Sequence, residues 1–351
     1  MARWRRHDLQ AAIRLTAPRR AGLTGLVNNA ELDARTACVQ RTWTPRQRLH
    51  AGNVAWASAR GDGSPAPDAT LAWGNPLAGF GDVWRSEAAG QPAEAALHLA
   101  PDVAPAQRAD AVDELLELAA EVTVGVSRQD RALTDVLAGR GFREDEGPWF
   151  AQLWRDLTDL SGLAAPGVAG EYVIRPAGND DLAERVEVHR RCWAPARIKG
   201  MLNLPVTGDE PGSVYTPDIH RAVMASPLYR AELDLVAVAG DGSFAAYGLG
   251  WLDPGSGSVL LEPVGTDPGH VQRGLARALC AESLRTARDL GATQAIVGPR
   301  GDNGYPVPRR VYAGLGMHEV AQFVSMTLDQ GKRCPAAGVS VCRKAPADDS
   351  P

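Results

Sequence analysis

Residues 260–276, LLEPVGTDPGHVQRGLA, constrain the fold of this chain more than any other segment. The segment begins as an apolar run with one acid, Glu262, passes through a turn and enters a long amphipathic stretch at Gly274. A strand, a glycine-containing loop and a helix start in this order present backbone N–H groups and the positive helix end to an anion. The segment therefore predicts an α/β unit with an anion site, and we expect the anion to be a pyrophosphate.

Composition sets limits on the rest of the chain. Its 351 residues, 44% of them hydrophobic, suit two domains of ordinary size. The net charge of −5 predicts no nucleic-acid partner and no anionic membrane partner. Five widely spaced cysteines without a C-x-x-C pair indicate reduced thiols and no metal site. The basic amino terminus lacks an apolar signal core, so we expect a cytoplasmic protein.

The second half of the chain, residues 171–328, has the clearest element pattern. Its order predicts an antiparallel meander followed by β-α-β-α-β, a mixed and mostly antiparallel sheet flanked by helices. A cap at Asn179 or Asp180 is expected for the first helix, and 194–230 is expected to be loop-rich. The predicted strands are 171–176, 233–239, 244–252, 258–264, 295–298 and 319–328, and the predicted helices are 180–193, 217–224, 274–290 and 307–313.

The first half has a fainter version of the same pattern. Residues 107–111, QRADA, match 272–276, QRGLA, at an offset of 165, and residues 138–142, AGRGF, match 313–317, AGLGM, at an offset of 175. Two matches in the same order indicate an internal duplication. We expect helices at 4–15, 30–41 and 110–120, strands at 53–60, 69–74, 81–86 and 95–99, and a strand at 149–154 that closes this half.

The loop and the segment around Tyr312 resemble the GCN5-related N-acetyltransferases. In that family the pattern Q/R-x-x-G-x-G/A holds the pyrophosphate of acetyl-CoA; Gly274 and Ala276 match it, whereas Val271 stands at the Gln/Arg position. Residues 310–317, RVYAGLGM, resemble the ending A-x-x-x-Y-x-x-x-G-F, whose tyrosine protonates the leaving thiolate. The resemblance implies two tandem α/β (α+β) acetyltransferase-fold domains: 1–160 degenerate, 161–170 a linker, 171–328 catalytic and 329–351 a poorly ordered tail.

The resemblance also implies roles for particular residues. Tyr312 would be the acid, and Glu262 would accept the amine proton directly or through water. A core tyrosine and an arginine-paired carboxylate are the structural alternatives for these two. Asn303, nine residues before Tyr312, is a pantetheine contact in this scheme. The backbones of Val264 and Thr266 would bind the pantetheine arm, and the pyrophosphate would face Gln272, Arg273, Gly274, Leu275, Ala276 and Arg277.

The matched positions of the first half lack this chemistry. Ala109 replaces the loop glycine, and Asp110 places a negative charge where pyrophosphate would bind. An early helix start with an acidic first turn is the alternative account of Asp110. Leu137 stands at the position of Tyr312, and Leu97 at that of Glu262. We therefore expect residues 1–160 to be non-catalytic.

The sequence thus predicts an acetyl-CoA-dependent N-acetyltransferase that acts on a primary amine of a small molecule by direct attack in a ternary complex. A non-catalytic acyl-CoA sensor or scaffold and an acyl-CoA hydrolase or decarboxylase remain alternatives. A homodimer is left open. Loop 194–230 either selects the acceptor or is a solvated polar loop; its polar residues are Arg197, Lys199, Asp209, Glu210, Tyr215 and His220.

Overall fold

The protein is described from a computed structural model. It describes residues 69–73, 78–85, 92–100, 102–163, 172–201, 205–206, 213, 215–225 and 228–328. The described strands form one twelve-stranded sheet in the order β1-β2-β3-β4-β12-β6-β11-β10-β9-β8-β7, with β5 paired to β12. Helices pack against this sheet and cover its apolar side chains.

The first half contributes six strands and two helices to the described structure. The strands are β1 (Ala69–Trp73), β2 (Gly79–Trp84), β3 (Ala93–Leu99), β4 (Val122–Ser127), β5 (Phe142–Glu144) and β6 (Phe150–Asp156), and the helices are α1 (Pro105–Leu118) and α2 (Arg131–Gly139). Strand β3 alternates buried and more exposed residues along its length, which places one face on the core. Most core side chains here are aliphatic, with Leu97, Leu115 and Leu137 among them.

The second half contributes six strands and five α-helices to the described structure. The strands are β7 (Val173–Pro176), β8 (Tyr229–Val238), β9 (Phe244–Asp253), β10 (Ser258–Thr266), β11 (Gln294–Val297) and β12 (His318–Leu328). The helices are α3 (Leu182–Cys192), α4 (Pro195–Met201), α5 (Pro217–Met224), α6 (Leu275–Asp289) and α7 (Val307–Ala313). Every residue of β9 is buried because helices cover both of its faces.

The elements that the sequence predicted occur in the predicted order over the described residues, with three local differences, whereas β4, α2 and β5 were not predicted. Helix α4 lies in the segment expected to be loop-rich. The expected cap at Asn179 or Asp180 is wrong: a short 3₁₀ turn precedes α3, and Asp181 accepts a hydrogen bond from the Gly178 amide at 2.7 Å. Helix α1 begins five residues earlier than predicted, with Pro105 at its first position.

Strand β6 differs most from its prediction, because it does not close the first half. Its residues 153–156 pair with 294–297 of β11, and its residues 150–154 pair with the start of β12. In return, residues 323–327 of β12 pair with β4. Alternation along a strand specifies which face is buried but not which strand lies beside it, so the sequence could not show this exchange.

Some predictions lie outside the described residues. They are the helices at 4–15 and 30–41, the strand at 53–60, most of the linker and the tail at 329–351. Among described residues no helix has the length and apolarity needed to cross a membrane. The same residues contain no group of three or more His, Cys, Asp or Glu that could hold a metal ion.

Candidate active site

The site is built where two parallel strands separate. Strands β10 and β11 pair only over residues 258–260 and 294–296. Beyond Leu260, β10 continues beside β9, with an irregularity in register between Leu261 and Val264. Val264 and Thr266 pair with Gly248 and Ala246 of β9, so their other edge faces the gap left by β11. This gap is where the sequence placed the pantetheine arm.

A cavity of about 190 Å³ lies beside the gap. It has one acidic group, Glu262, and one neutral amide, Gln152, in an otherwise apolar lining. Strand β6 of the first half provides Phe150 and Gln152, so the cavity is built by both halves of the chain. The full lining is Phe150, Gln152, Leu260, Glu262, Ile296, Val297, Gly298 and Phe323.

The loop before α6 exposes its backbone. Gln272 and Gly274 both have positive φ, 63° and 77°, which turns the chain sharply into the helix. No atom lies within 4 Å of the place where a Cβ on Gly274 would stand, so a ligand has room to approach. The first helical hydrogen bond joins the Ala278 amide to the Gly274 carbonyl at 3.0 Å. The preceding amides lack helical partners, as at any helix start, and fit an anion.

Side-chain hydrogen bonds and an ion pair hold this loop in place. Asp267 accepts the Gly269 amide at 2.8 Å and pairs with Arg191. Burial disfavours the charged carboxylate, but the Gly269 amide and the Arg191 guanidinium keep the pKa of Asp267 below its usual value. Arg273 donates to the Tyr172 hydroxyl at 2.8 Å, and that hydroxyl lies 2.9 Å from Nδ1 of His270. These contacts support the conformation of the loop from within the protein.

Glu262 lies at the irregularity of β10 and lines the cavity. Its carbonyl oxygen accepts a hydrogen bond from the buried Trp251 indole at 2.5 Å, which anchors the backbone at this point. A bulged residue is re-aimed relative to its strand neighbours. The half-buried carboxylate is placed to accept a proton from a group that enters the cavity.

Tyr312 lies on α7 and is buried in the core on one face of the sheet with Leu261 and Val297. Burial, with the Cys280 thiol and the Glu262 carboxylate nearby, raises the pKa of Tyr312 well above its usual value. The hydroxyl therefore keeps its proton at neutral pH. Leu260 and Ile296 of the cavity belong to the core on the other face, whereas Val297 of the cavity belongs to the same core as Tyr312, so residues of both cores line the cavity.

Two other residues that were predicted to contact acetyl-CoA, Asn303 and Arg277, form hydrogen bonds within the protein. Asn303 is exposed and accepts a long hydrogen bond of 3.4 Å from Arg309, and it does not line the cavity. Arg277 donates to the Gly314 carbonyl at 2.9 Å and so joins α6 to the end of α7. Leu275 is buried and Ala276 half-buried at the start of α6.

The polar residues of 194–230, which were proposed to select the acceptor, lie in different environments. His220 is buried: its Nδ1 lies 2.8 Å from the Tyr215 hydroxyl, and its Nε2 lies 3.3 Å from Asp234. Asp234 also accepts from the buried Arg185 at 2.7 Å. These contacts form a buried polar network under α3 and α5. Arg197 donates to the Cys192 carbonyl at 2.5 Å, and Asp209 and Glu210 lie outside the described residues.

At the matched positions of the first half, the described residues form no equivalent loop. Residues 107–111, which match the loop in sequence, lie inside α1. The Gln107 side chain accepts the Ala104 amide at 3.2 Å at the start of the helix. Arg108 is buried and donates to the Val103 and Ala100 carbonyls at 3.1 and 3.0 Å. Asp110 lies inside α1 and beyond its first turn, so both accounts of it are wrong: it does not lie in a loop, and the first turn is not acidic.

Three residues that the sequence did not single out help to build the site. Gln152 lines the cavity, and Tyr172 holds the loop. Arg155 is buried and donates to the carbonyls of Leu315, just after α7, and of Ser161. A Cβ on Gly316, where φ is 76°, would stand 2.2 Å from the Arg155 guanidinium. The signal in the sequence was a glutamine and an arginine within the apolar strand 150–156.

The separated parallel strands, the exposed glycine loop and the tyrosine-bearing helix α7 define a fold of the acetyltransferase class. Comparison with solved structures supports this class. The chain resembles a GCN5-related N-acetyltransferase from Sphaerobacter thermophilus with a TM-score of 0.54 and 17% identity, over 89% of this chain and 96% of that one. It resembles a tandem GNAT protein from the clavulanic acid biosynthesis pathway with a TM-score of 0.55 and 16% identity, over 86% and 96%.

Sequence comparison gives a relative of the same class. The chain is 33% identical to the mycothiol acetyltransferase of Kineococcus radiotolerans over 173 residues, 48% of this chain and 50% of that protein. The match thus spans about half the length of this curated relative. No family model matches the chain. The chain has the GCN5-related N-acetyltransferase fold in two tandem copies, and the resemblance predicted from its sequence is confirmed.

Proposed function

We propose that the second half binds acetyl-CoA and transfers its acetyl group to a primary amine of a small molecule. The observation that supports this most is the position of Glu262 in a cavity beside the separated strands β10 and β11. The exposed amides before α6 lie beyond the same ends of these strands and suit a pyrophosphate. A carboxylate, an acyl-donor channel and an anion loop are together what acyl transfer to an amine needs.

The reaction follows by direct attack in a ternary complex. The amine nitrogen attacks the thioester carbonyl carbon, a C–N bond forms, and Glu262, or a water that it orients, takes the amine proton. The C–S bond then breaks, and the thiolate receives a proton from Tyr312 on the other face of the sheet. The products are an amide and the free thiol, and the tyrosine regains its proton from solvent. The raised pKa of Tyr312 ensures that its hydroxyl begins this step protonated.

The residues present fit the donor in two further respects. The loop between Asp267 and Gly274 is held by Arg191 and Tyr172, so its amides need little rearrangement on binding. The open edge of β10 at Val264 and Thr266 offers backbone groups to the amides of the pantetheine arm. Val271, which stands where the resembled family has Gln or Arg, is 44% exposed and contributes only its backbone.

The test is the release of free thiol from acetyl-CoA by the full chain across a panel of primary amines. Release that depends on the amine, with formation of the acetylated product, supports transfer. Release without an amine favours hydrolysis, and acetyl-CoA binding without release favours a sensor or scaffold. In Glu262→Gln the amine-dependent rate should fall by about 10²–10⁴-fold, the range expected for loss of a general base. An unchanged rate would contradict the role given to Glu262.

A further inference from the structure

Gln152 is an unusual residue for its place in the sheet. It lies on β6 with 3% of its surface exposed, on the strand face shared with Phe150 and Trp154. Within the described part of the chain, neither Nε2 nor Oε1 of its side chain has a hydrogen-bond partner. Buried amides are nearly always paired, because an unpaired one loses its bonds to water without replacement. The side chain therefore needs a partner that the folded chain does not supply.

A second glutamine in the same sheet shows the ordinary arrangement. Gln294 on β11 donates to the Ser258 hydroxyl at 2.7 Å and to the Ser256 carbonyl at 3.2 Å. Its Oε1 accepts from the Trp154 indole at 3.2 Å. Gln294 does not line the cavity, whereas Gln152 does. The unpaired amide is thus confined to the glutamine beside the candidate active site.

The cavity limits what the partner of Gln152 can be. Its volume of about 190 Å³ far exceeds the ~10–15 Å³ that one water needs, yet is below the ~300–1,000 Å³ of whole-ligand pockets. It fits the reacting end of a ligand. Glu262 in the lining would repel an anionic group, and Phe150, Leu260 and Phe323 make the remainder largely apolar. A neutral group that both accepts and donates a hydrogen bond suits the glutamine amide.

We infer that the cavity is a binding subsite for an amide group of the substrate, and that Gln152, supplied by the first half of the chain, is its hydrogen-bonding residue. This inference rests on the proposed function, because the ligand is either the acyl donor or the amine acceptor. The amide belongs to the pantetheine arm of the donor or to an acceptor that bears an amide near its amine. In both cases the first half completes the site of the second.

The experiment compares Gln152→Leu with Gln294→Leu in the full chain. Calorimetry gives the Kd of acetyl-CoA, and thiol release gives kcat/KM for two acceptors of similar shape, glycinamide and isobutylamine. Removing an unpaired amide leaves nothing unsatisfied, so Gln152→Leu should keep or raise Tm. Gln294→Leu strands three polar partners, so it should lower Tm and leave the ligand constants unchanged.

The outcomes separate the two sources of the amide. If the amide is the donor's, Gln152→Leu raises the Kd of acetyl-CoA by about tenfold, the loss expected for one hydrogen bond. If it is the acceptor's, that Kd is unchanged, and the preference for glycinamide over isobutylamine falls by about tenfold. If Gln152→Leu changes neither the Kd of acetyl-CoA nor the preference for glycinamide, the inference is overturned. That result would indicate that water satisfies the amide.

Failure of the proposed function gives a separate result. A wild-type chain that binds acetyl-CoA but transfers to neither amine contradicts the transferase proposal. The inference is then decided by the Kd values of acetyl-CoA and glycinamide for wild type and Gln152→Leu. Equal Kd values in both proteins would overturn it on binding alone.

Discussion

The two halves of the chain repeat one order of strands and helices and differ most at the start of one helix. In the first half, five residues, 100–104, separate β3 from α1; in the second, eight residues, 267–274, separate β10 from α6. The shorter connection is closed by the Arg108 guanidinium, bonded to its carbonyls, and the longer one exposes its amides. The first half therefore differs from the second by a helix that extends into the matched segment, and the difference is larger than one substitution.

The comparison also shows what the first half retains. Leu137, at the position matched with Tyr312, is fully buried among aliphatic neighbours, so this half has an aliphatic core residue in place of the tyrosine. Its last strand, β6, nevertheless lies in the middle of the second half's sheet. Phe150 and Gln152 line the cavity from β6, and Arg155 holds the chain after α7. The first half supports the site by strand exchange although its own loop is closed.

The largest expected effect concerns Arg155, the contact between the halves. Arg155→Met keeps the aliphatic stem but leaves the buried Leu315 carbonyl without this donor and removes the bond to the carbonyl of the exposed Ser161. The free energy of unfolding should fall by about 3 kcal/mol, since each unsatisfied buried group costs ~1–3 kcal/mol. Arg140→Met is the control in the first half: its half-exposed pair with Asp113 should cost no more than about 1 kcal/mol. Urea denaturation measures the free energy of unfolding of both variants. Equal losses would show that the contact of Arg155 on β6 with the second half has no special importance for stability.

The next effect is on catalysis and tests the difference between Tyr312 and Leu137. Tyr312→Phe should lower kcat by about 10²-fold, the low end for loss of a general acid. Stability should change little, because the ring of Tyr312 packs among apolar side chains and phenylalanine keeps this packing. Tyr229→Phe is the opposite control: its hydroxyl bonds to Asp234 at 3.4 Å, so stability falls and kcat holds. An unchanged kcat in Tyr312→Phe would make this tyrosine a core residue like Leu137.

A smaller effect concerns pH and the buried polar network of the second half. Burial, with Arg185 and His220 nearby, lowers the pKa of His189 from 6.5 to about 3. The unfolded chain therefore takes up this proton first as the pH falls. The stability that neutral His189 contributes is fully present above the pKa of this residue in the unfolded chain. Below that pKa it decreases by up to about 1.4 kcal/mol per pH unit. Hydrogen exchange at pH 7 and pH 5 should show acid loosening of β9 and little change in β4.

His189→Phe provides the control for that pH dependence. The phenyl ring keeps the stacking on Tyr215, where the ring centroids lie 3.7 Å apart, and cannot titrate. The difference in protection of β9 between pH 7 and pH 5 should shrink in this variant. The same difference in wild type and variant would assign the acid sensitivity to another group.

The smallest expected effect comes from exchanging the loop residues of the two halves. Gly274→Ala should cost about 1 kcal/mol, because φ is 77° there and an alanine is strained by ~1–2 kcal/mol in that conformation. Ala109→Gly, inside α1, should cost a similar ~1 kcal/mol and create no binding site. Calorimetry with acetyl-CoA should give one site per chain in wild type and Ala109→Gly. A second site in Ala109→Gly would show that the side chain of Ala109 alone prevents acetyl-CoA from binding to the first half.

Local patterns made much of this fold predictable. Helices 217–224 and 307–313 and the strand pairs on either side of Gly242 and Gly257 follow from periodicity and turn residues. The loop before α6, residues 267–274, was predictable because the preceding strand, the glycine and the helix start are adjacent in sequence. Helix α1 was placed too late because it was predicted from the helical spacing of apolar residues, which does not mark its polar first turn; Pro105, a residue favoured at the first helical position, does mark it.

The sequence by itself indicated the acetyltransferase fold, most of the elements, the loop at Gly274 and the candidate residues Glu262 and Tyr312. Only the tertiary structure decided that β6 and β12 cross between the halves, and that Gln152 and Arg155 thereby reach the site. The physical reason is that helix and turn preferences depend on neighbours along the chain. Strand pairing joins residues far apart, as for Leu153 and Val297, and any strand of suitable alternation satisfies the same local pattern.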